Sequence, residues 1–207
     1  DYLSLMVPPL QSFISKAPHM FLQGIAQLPD GPVTYIDLIF SMVAKTVAND
    51  RASESECRQA LGLFLSVLHS CPGAIDNYIP AINEVVLGKL GQQINEESAV
   101  TRIAIYQVLG SALYYNPGLE LVELEKRGVI EQLFAKWMKD VESMEKWLPK
   151  RLTILGLTAI LSLPTASLPP SIASALPQLI SACVTMTIKL KADSDKNQTE
   201  ETQEDGW

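Results

Sequence analysis

The sequence predicts an all-α fold, an α-α superhelix in which about three helix pairs stack in a row with a further helix at each end. Three observations predict it. Arg58, Arg102 and Arg151 each open a segment with the same apolar or small positions at +3, +6, +7 and +10. These are Leu61, Phe64, Leu65 and Leu68; Ile105, Val108, Leu109 and Ala112; and Ile154, Leu157, Thr158 and Leu161. Such offsets fall on one face of a 3.6-residue helix. A short residue follows each arginine at +2 (Ala60, Ala104, Thr153), and a proline closes each segment (Pro72, Pro117, Pro164). The arginines are 44 and 49 residues apart, the period of a two-helix solenoid repeat.

The elements follow in order. Residues 2 to 15 read as a helix, or a helix bent at Pro8-Pro9, and 18 to 28 as a short apolar piece that stops at Pro29-Asp30-Gly31-Pro32. Thr34 to Ala48 carries Ile36, Ile39, Phe40, Val43 and Val47 on one face. It pairs with the first arginine helix, about Ser55 to Ser70, where Ser53 and Glu56 have capping-box spacing. The second pair restarts at Ala74, with Ile79, Ile82, Val86 and Leu90, and closes with a helix from about Ser98 to Tyr115. The third contains Leu119 to Leu124, then Val129 to Val141 with Ile130, Leu133, Phe134 and Trp137, then the Arg151 helix. Repeats are expected at about 33–72, 74–117 and 118–164, with a trailing helix over 170–191. No segment alternates as a strand does.

Hydrophobic residues make up 47% of 207, enough for a continuous core. The net charge is −7, but residues 193–207 hold six acids against Lys196, leaving the body near −2. This marks 1–192 as the repeat array and 193–207 as an acidic disordered tail. No basic stripe for nucleic-acid phosphates is present. The absence of charge between Arg151 and Lys189 raises a membrane hairpin. Its apolar stretches, 152–163 and 178–188, fall short of the roughly 20 residues a span needs, and a helix sandwiched between repeats is apolar for packing reasons. Cys57, Cys71 and Cys183 read as buried free thiols. The chain starts at Asp1 without methionine and stops within an acidic run, and we read it as a piece of a longer protein.

Catalytic chemistry is not signalled. There is no phosphate-cradling glycine loop, no GxSxG, and His19 and His69 lack metal-ligand company. No catalytic, cofactor or metal residue is assigned, and the chain reads as a non-enzyme. The clusters Glu120, Glu123, Glu125 and Glu142, Glu145 read as solvated faces, and a helical hydrolase built on them is the enzymatic alternative. Trp137 reads as core; Trp147, opening a helix, is a candidate partner-binding residue, as are the tail acids Glu200, Glu201, Glu204 and Asp205. Arg58, Arg102 and Arg151 are expected to form a ladder between repeats, paired with loop carboxylates such as Glu96 and Glu145.

Tyr78-Ile79-Pro80-Ala81-Ile82, with Thr101-Arg102-Ile103-Ala104 and Val108-Leu109-Gly110, resembles a HEAT repeat. Ala112-Leu113-Tyr114-Tyr115-Asn116-Pro117, the Arg151–Ile160 helix after Trp137-Met138, and Asp1-Tyr2 with Pro8-Pro9-Leu10 narrow the likeness. Over residues 1 to about 190 the chain resembles the C-terminal region of importin-β-type nuclear transport receptors (karyopherins), in the importin seven/eight branch and its fungal relatives. The resemblance implies a carrier that shuttles between cytoplasm and nucleus through pores of the nuclear envelope. It implies protein cargo, often basic (ribosomal proteins or histones), the GTPase Ran, bound mainly by N-terminal arches, and phenylalanine-glycine nucleoporins. It implies no cofactor, no direct nucleic acid or membrane partner, and a monomeric parent. A HEAT scaffold or regulatory subunit of another assembly is the alternative.

Overall fold

Helix after helix is laid beside its predecessor, with little else in the chain. The structure, a computed structural model, describes residues 2–92, 99–141 and 144–204. Among these are ten α-helices: α1 (Tyr2–Lys16), α2 (Pro18–Gln23), α3 (Tyr35–Ala48), α4 (Glu54–Ser70), α5 (Ile79–Gln92), α6 (Ala99–Tyr115), α7 (Pro117–Lys126), α8 (Ile130–Asp140), α9 (Trp147–Leu161) and α10 (Pro170–Glu204).

Local chemistry sets the helix starts. Thr34 accepts the Asp37 amide to begin α3. Ser53 and Glu56 form a reciprocal capping box at α4, as their spacing predicts. Asn116 accepts the Leu119 amide and Pro117 takes the first turn of α7, where its missing N–H costs nothing.

Packing then builds two rows. One runs α1, α4, α6, α9, each helix packed on the next; the other, behind it, runs α3, α5, α7, with α8 beside α7. α10 closes the array against α9 and α8. The partners are sequence neighbours throughout, and one hydrophobic core runs the length of the stack from Val7 and Ile14 to Cys183 and Met186. α6, in the middle, buries ten of its seventeen residues because it has neighbours on several sides. The short +2 residues are all interior: Ala60 and Thr153 have no exposed surface and Ala104 only 3%.

The tightest seam joins α6 to α9. A Cβ on Gly110 would lie 2.7 Å from the Leu152 carbonyl oxygen, and one on Gly156 would lie 2.8 Å from the Gly110 carbonyl oxygen. Backbone meets backbone there, which only glycine permits.

Four expectations are corrected. A two-stranded antiparallel hairpin is present, β1 (Ile25–Leu28) with β2 (Gly31–Thr34), in the register Ile25↔Thr34 to Leu28↔Gly31. Pro29 and Asp30 make its turn and Gly31 takes φ +121°; four-residue strands containing Pro32 give no alternation to read. α10 extends past Lys191 to Glu204, overlapping the segment expected as a disordered tail. There Asp193 accepts a 2.6 Å hydrogen bond from Lys150 Nζ, which fixes the charged end of α10 to α9. The face of α9 is rotated: Leu152, Thr153, Gly156, Leu157 and Ile160 are buried, whereas Thr158 is exposed. The Gly110–Gly156 seam sets that rotation. Finally, Glu120 and Glu123 are buried rather than solvated, because α7 turns that side toward α5.

α10 is also the one described helix long and apolar enough to cross a membrane, over Pro170–Ser194. One stripe of it (Ile172, Leu179, Cys183, Met186) is buried in the common core, and Ile180, Val184 and Ile188 are exposed.

Candidate partner-binding face

The exposed side of the α4–α6–α9 row carries Trp147, the partner-binding candidate whose side chain the structure describes. Trp147, at the first turn of α9, is 51% exposed, and the Arg151 guanidinium lies 4.9 Å from its ring centroid. The two are one helical turn apart, so the cation stacks on the ring by helix geometry alone. Beside them lies a groove of about 590 Å³ spanning the three helices. Tyr114 from α6 (54% exposed) and Leu148 from α9 (43% exposed) form its apolar walls with Leu155, while His69 from the end of α4 and Arg151 supply its polar edge.

His69 is held in place by a 3.0 Å hydrogen bond with Ser111 Oγ. Burial of the ring, and the Arg151 charge nearby, hold its pKa below the ordinary histidine value. It therefore titrates toward its cationic form only in acid. Tyr115 forms part of the groove wall and is pinned from behind. Its hydroxyl donates to Asp76 Oδ1 at 2.7 Å and accepts the Ile75 amide at 3.0 Å. Burial and the Asp76 carboxylate push its pKa up to about 12. The Tyr-Tyr-Asn-Pro segment thus clips the end of α6 to the preceding linker and caps α7. Further along the same face a smaller groove of about 240 Å³ holds Arg58, Gln107, Glu145 and Lys146.

The three arginines have three different surroundings. Arg102 joins repeats: its Nε donates to Asp140 Oδ2 at 3.1 Å, and the Tyr106 hydroxyl donates to the same oxygen at 2.9 Å. Burial and that carboxylate push the Tyr106 phenol far up. Arg151 stacks on Trp147, and Arg58 is exposed at the smaller groove. Glu145 is exposed beside Arg58. Glu96, Glu142 and Asp205 lie outside the described residues, and Glu200, Glu201 and Glu204 fall within the span of α10. Trp137 has no exposed surface and stacks on Tyr106 at 5.3 Å with a 6° interplanar angle, as its spacing predicts. Cys57, Cys71 and Cys183 are buried free thiols, likewise as predicted. Burial raises all three of their pKa values.

The residue that sequence reasoning missed is Asn83. It is fully buried on α5, and its Nδ2 donates to Glu120 Oε2 at 2.9 Å. Asn83 Oδ1 and Glu120 Oε1 are left without partners. Burial raises the Glu120 pKa to about 8, against the Asn83 bond that lowers it. A neutral Glu120 carboxyl carries one O–H donor beside its acceptor oxygen, and burial among unpaired oxygens favours that form over the carboxylate. The pair links α5 to α7 and sits in the second row, apart from the groove. Among the described residues no group of His, Cys, Asp and Glu could hold a metal ion.

Comparison with known proteins bears on what such a face serves. Importin-8 of Danio rerio is 26% identical over 198 residues, which is 92% of this chain. An importin beta-like SAD2 homolog of Arabidopsis thaliana is 26% identical over 92% of the chain. A probable importin-7 homolog of Dictyostelium discoideum is 23% identical over 79% of it. The chain spans only 15–18% of the length of these relatives. No family model and no solved structure matches it. Its sequence relatives and its stacked helix pairs agree: the chain is related to the importin-β-type proteins, alongside importin-7 and importin-8.

Proposed function

We propose that this chain is the C-terminal HEAT-repeat part of a nuclear transport receptor that binds protein cargo and carries it through the nuclear pore, inward, under the control of Ran. The observation that carries the reading is the alignment with importin-8 over 92% of the chain, on a fold whose α4–α6–α9 row carries an exposed groove. Stacked pairs touch only their neighbours, so small rotations between them change the curvature of that face. Cargo and Ran, each favouring a different curvature, are then coupled through shape without chemistry in this chain. The relatives are named as importins, and the reading assigns no catalytic residue here.

On this reading the parent is a monomer shuttling between cytoplasm and nucleus and pausing at the pores. Its partners are protein cargo with basic surface (ribosomal proteins or histones), Ran held mainly by an N-terminal part, and phenylalanine-glycine nucleoporins. It has no direct nucleic-acid or membrane partner. The buried stripe of α10 supports a packed rather than a membrane-spanning role for that helix. The test is a pull-down of the full-length parent on Ran-GTP and on nucleoporin repeats, followed by release of bound cargo on adding Ran-GTP. Binding of both with cargo release supports import. Binding of neither leaves a HEAT scaffold for another assembly, and cargo held only together with Ran-GTP reverses the direction.

A further inference from the structure

We propose that the groove across α4, α6 and α9 takes an extended peptide segment that sets an aromatic side chain next to a carboxylate. The inference deepens the receptor reading, on which it rests, by giving one recognition surface and the chemistry it selects. The apolar part of the groove is formed by Tyr114, Leu148 and Leu155, and the first two leave about half their surface to solvent. Space of about 590 Å³ between three helices accepts an aromatic ring with room for backbone on either side. Aromatic rings contribute a large apolar area at low entropic cost, which suits an open groove.

Charge fixes the rest of the occupant. The groups lining the groove that can carry positive charge are Arg151 and His69, its other titratable groups are the phenols of Tyr114 and Tyr115, and no carboxylate lines it. The Arg151 guanidinium carbon lies over the Trp147 ring, 4.9 Å from its centroid. Arg151 is exposed, and its guanidinium carries a planar edge of N–H donors. That edge matches a carboxylate through two parallel hydrogen bonds. A lysine from the partner would instead meet a cation. A carboxylate near His69 also favours the protonated imidazole, so binding is expected to strengthen as pH falls below the ordinary histidine range. The groups facing His69 are Ser111 from α6 and Arg151 from α9. The Arg151 charge opposes that protonation. Basic cargo surface is left to other parts of the parent; this groove selects the opposite charge.

The test uses the whole 207-residue chain and a fluorescein-labelled peptide of Gly-Ser linkers around two Phe-Asp pairs, read by anisotropy. Two further peptides replace Asp with Lys or Phe with Ala. The Phe-Asp peptide is expected to bind at least tenfold more tightly than either. Arg151→Glu, an exposed substitution checked for intact helicity by circular dichroism, is expected to lose tenfold or more for the Asp peptide and to gain for the Lys peptide. Leu148→Ser is expected to weaken binding of both. Equal affinity for the Asp and Lys peptides, or an unchanged affinity in the folded Arg151→Glu variant, overturns the proposal. Peptide binding by this chain with no Ran or nucleoporin binding by the parent sinks the transport reading and leaves the groove standing. The reverse pattern sinks the groove alone.

Discussion

Gly110→Ala should destabilise this protein, although alanine is the better helix former. In a helix interior the change gains about 0.5–1 kcal/mol from backbone entropy. At Gly110 the new methyl carbon would lie 2.7 Å from the Leu152 carbonyl oxygen and 3.1 Å from its carbon. Both are backbone atoms of α9 and cannot swing aside as a side chain can. Ordinary carbon contacts sit at about 3.5–4.0 Å, so α6 and α9 must part by roughly half an ångström or more. A gap of that size forfeits a quarter to a half of the attraction for each atom pair along the seam. Overpacking of this kind costs about 1–3 kcal/mol. The net loss is about 1–2 kcal/mol, or a fall in Tm of about 2–8 °C for a chain of this length. Gly88→Ala in α5 is the control, because a Cβ there meets nothing within 4 Å. It should raise Tm by about 1–4 °C. Differential scanning calorimetry of the two variants decides the matter. A rise in Tm for Gly110→Ala like that of Gly88→Ala would refute the backbone-on-backbone seam.

Three further outcomes are expected. Folded Glu120 keeps its proton to about pH 8, while the unfolded chain releases it near the ordinary value of 4.5. Between those values the unfolded state holds fewer protons, so this group's contribution is full below pH 4.5, falls as pH rises, and is gone above pH 8; the span is on the order of several kcal/mol. Glu120→Gln keeps an acceptor for the Asn83 amide without titrating. Urea melts at pH 5, 7 and 9 should show the parent losing stability relative to the variant, and parallel pH profiles would rule out a protonated Glu120. Ser53→Ala removes the α4 capping box and should cost about 1 kcal/mol in the same melts, with no loss meaning that the box is idle. Trp137→Ala empties a site with no exposed surface and should cost about 3–5 kcal/mol; a loss under 1 kcal/mol would contradict its place in the core.

How far the sequence reveals the fold depends on what kind of signal each residue leaves. The arginine-led periodicity marks α4, α6 and α9 because one helix face faces a core, and Ser53–Glu56 marks a helix start because the cap is local in sequence. Periodicity does not say how a face is rotated once neighbours press from two sides, so Thr158 reads as interior and is exposed. Asn83 and Glu120 are 37 residues apart and polar, and such residues read as surface until the pairing that buries them is known. The hairpin at 25–34 is too short for alternation to register. Of the candidate face, Trp147 is legible as an aromatic at a helix start. The groove beside it is not, because His69, Tyr114 and Leu148 come from three helices and meet only in the stack.

The central claim is that the helix pairs touch only their sequence neighbours, which leaves the α4–α6–α9 face open. A distance across the whole row tests it most directly. Spin labels at Ser12 in α1 and Ser181 in α10, both exposed, are introduced after the buried Cys57, Cys71 and Cys183 are changed to alanine. Four helix-to-helix steps separate α1 from α10 through α4, α6 and α9. At about 8–10 Å per step, double electron–electron resonance should give a distance of roughly 30–40 Å. A distribution centred below about 20 Å would mean that α1 and α10 fold back against each other, and the open row would be wrong.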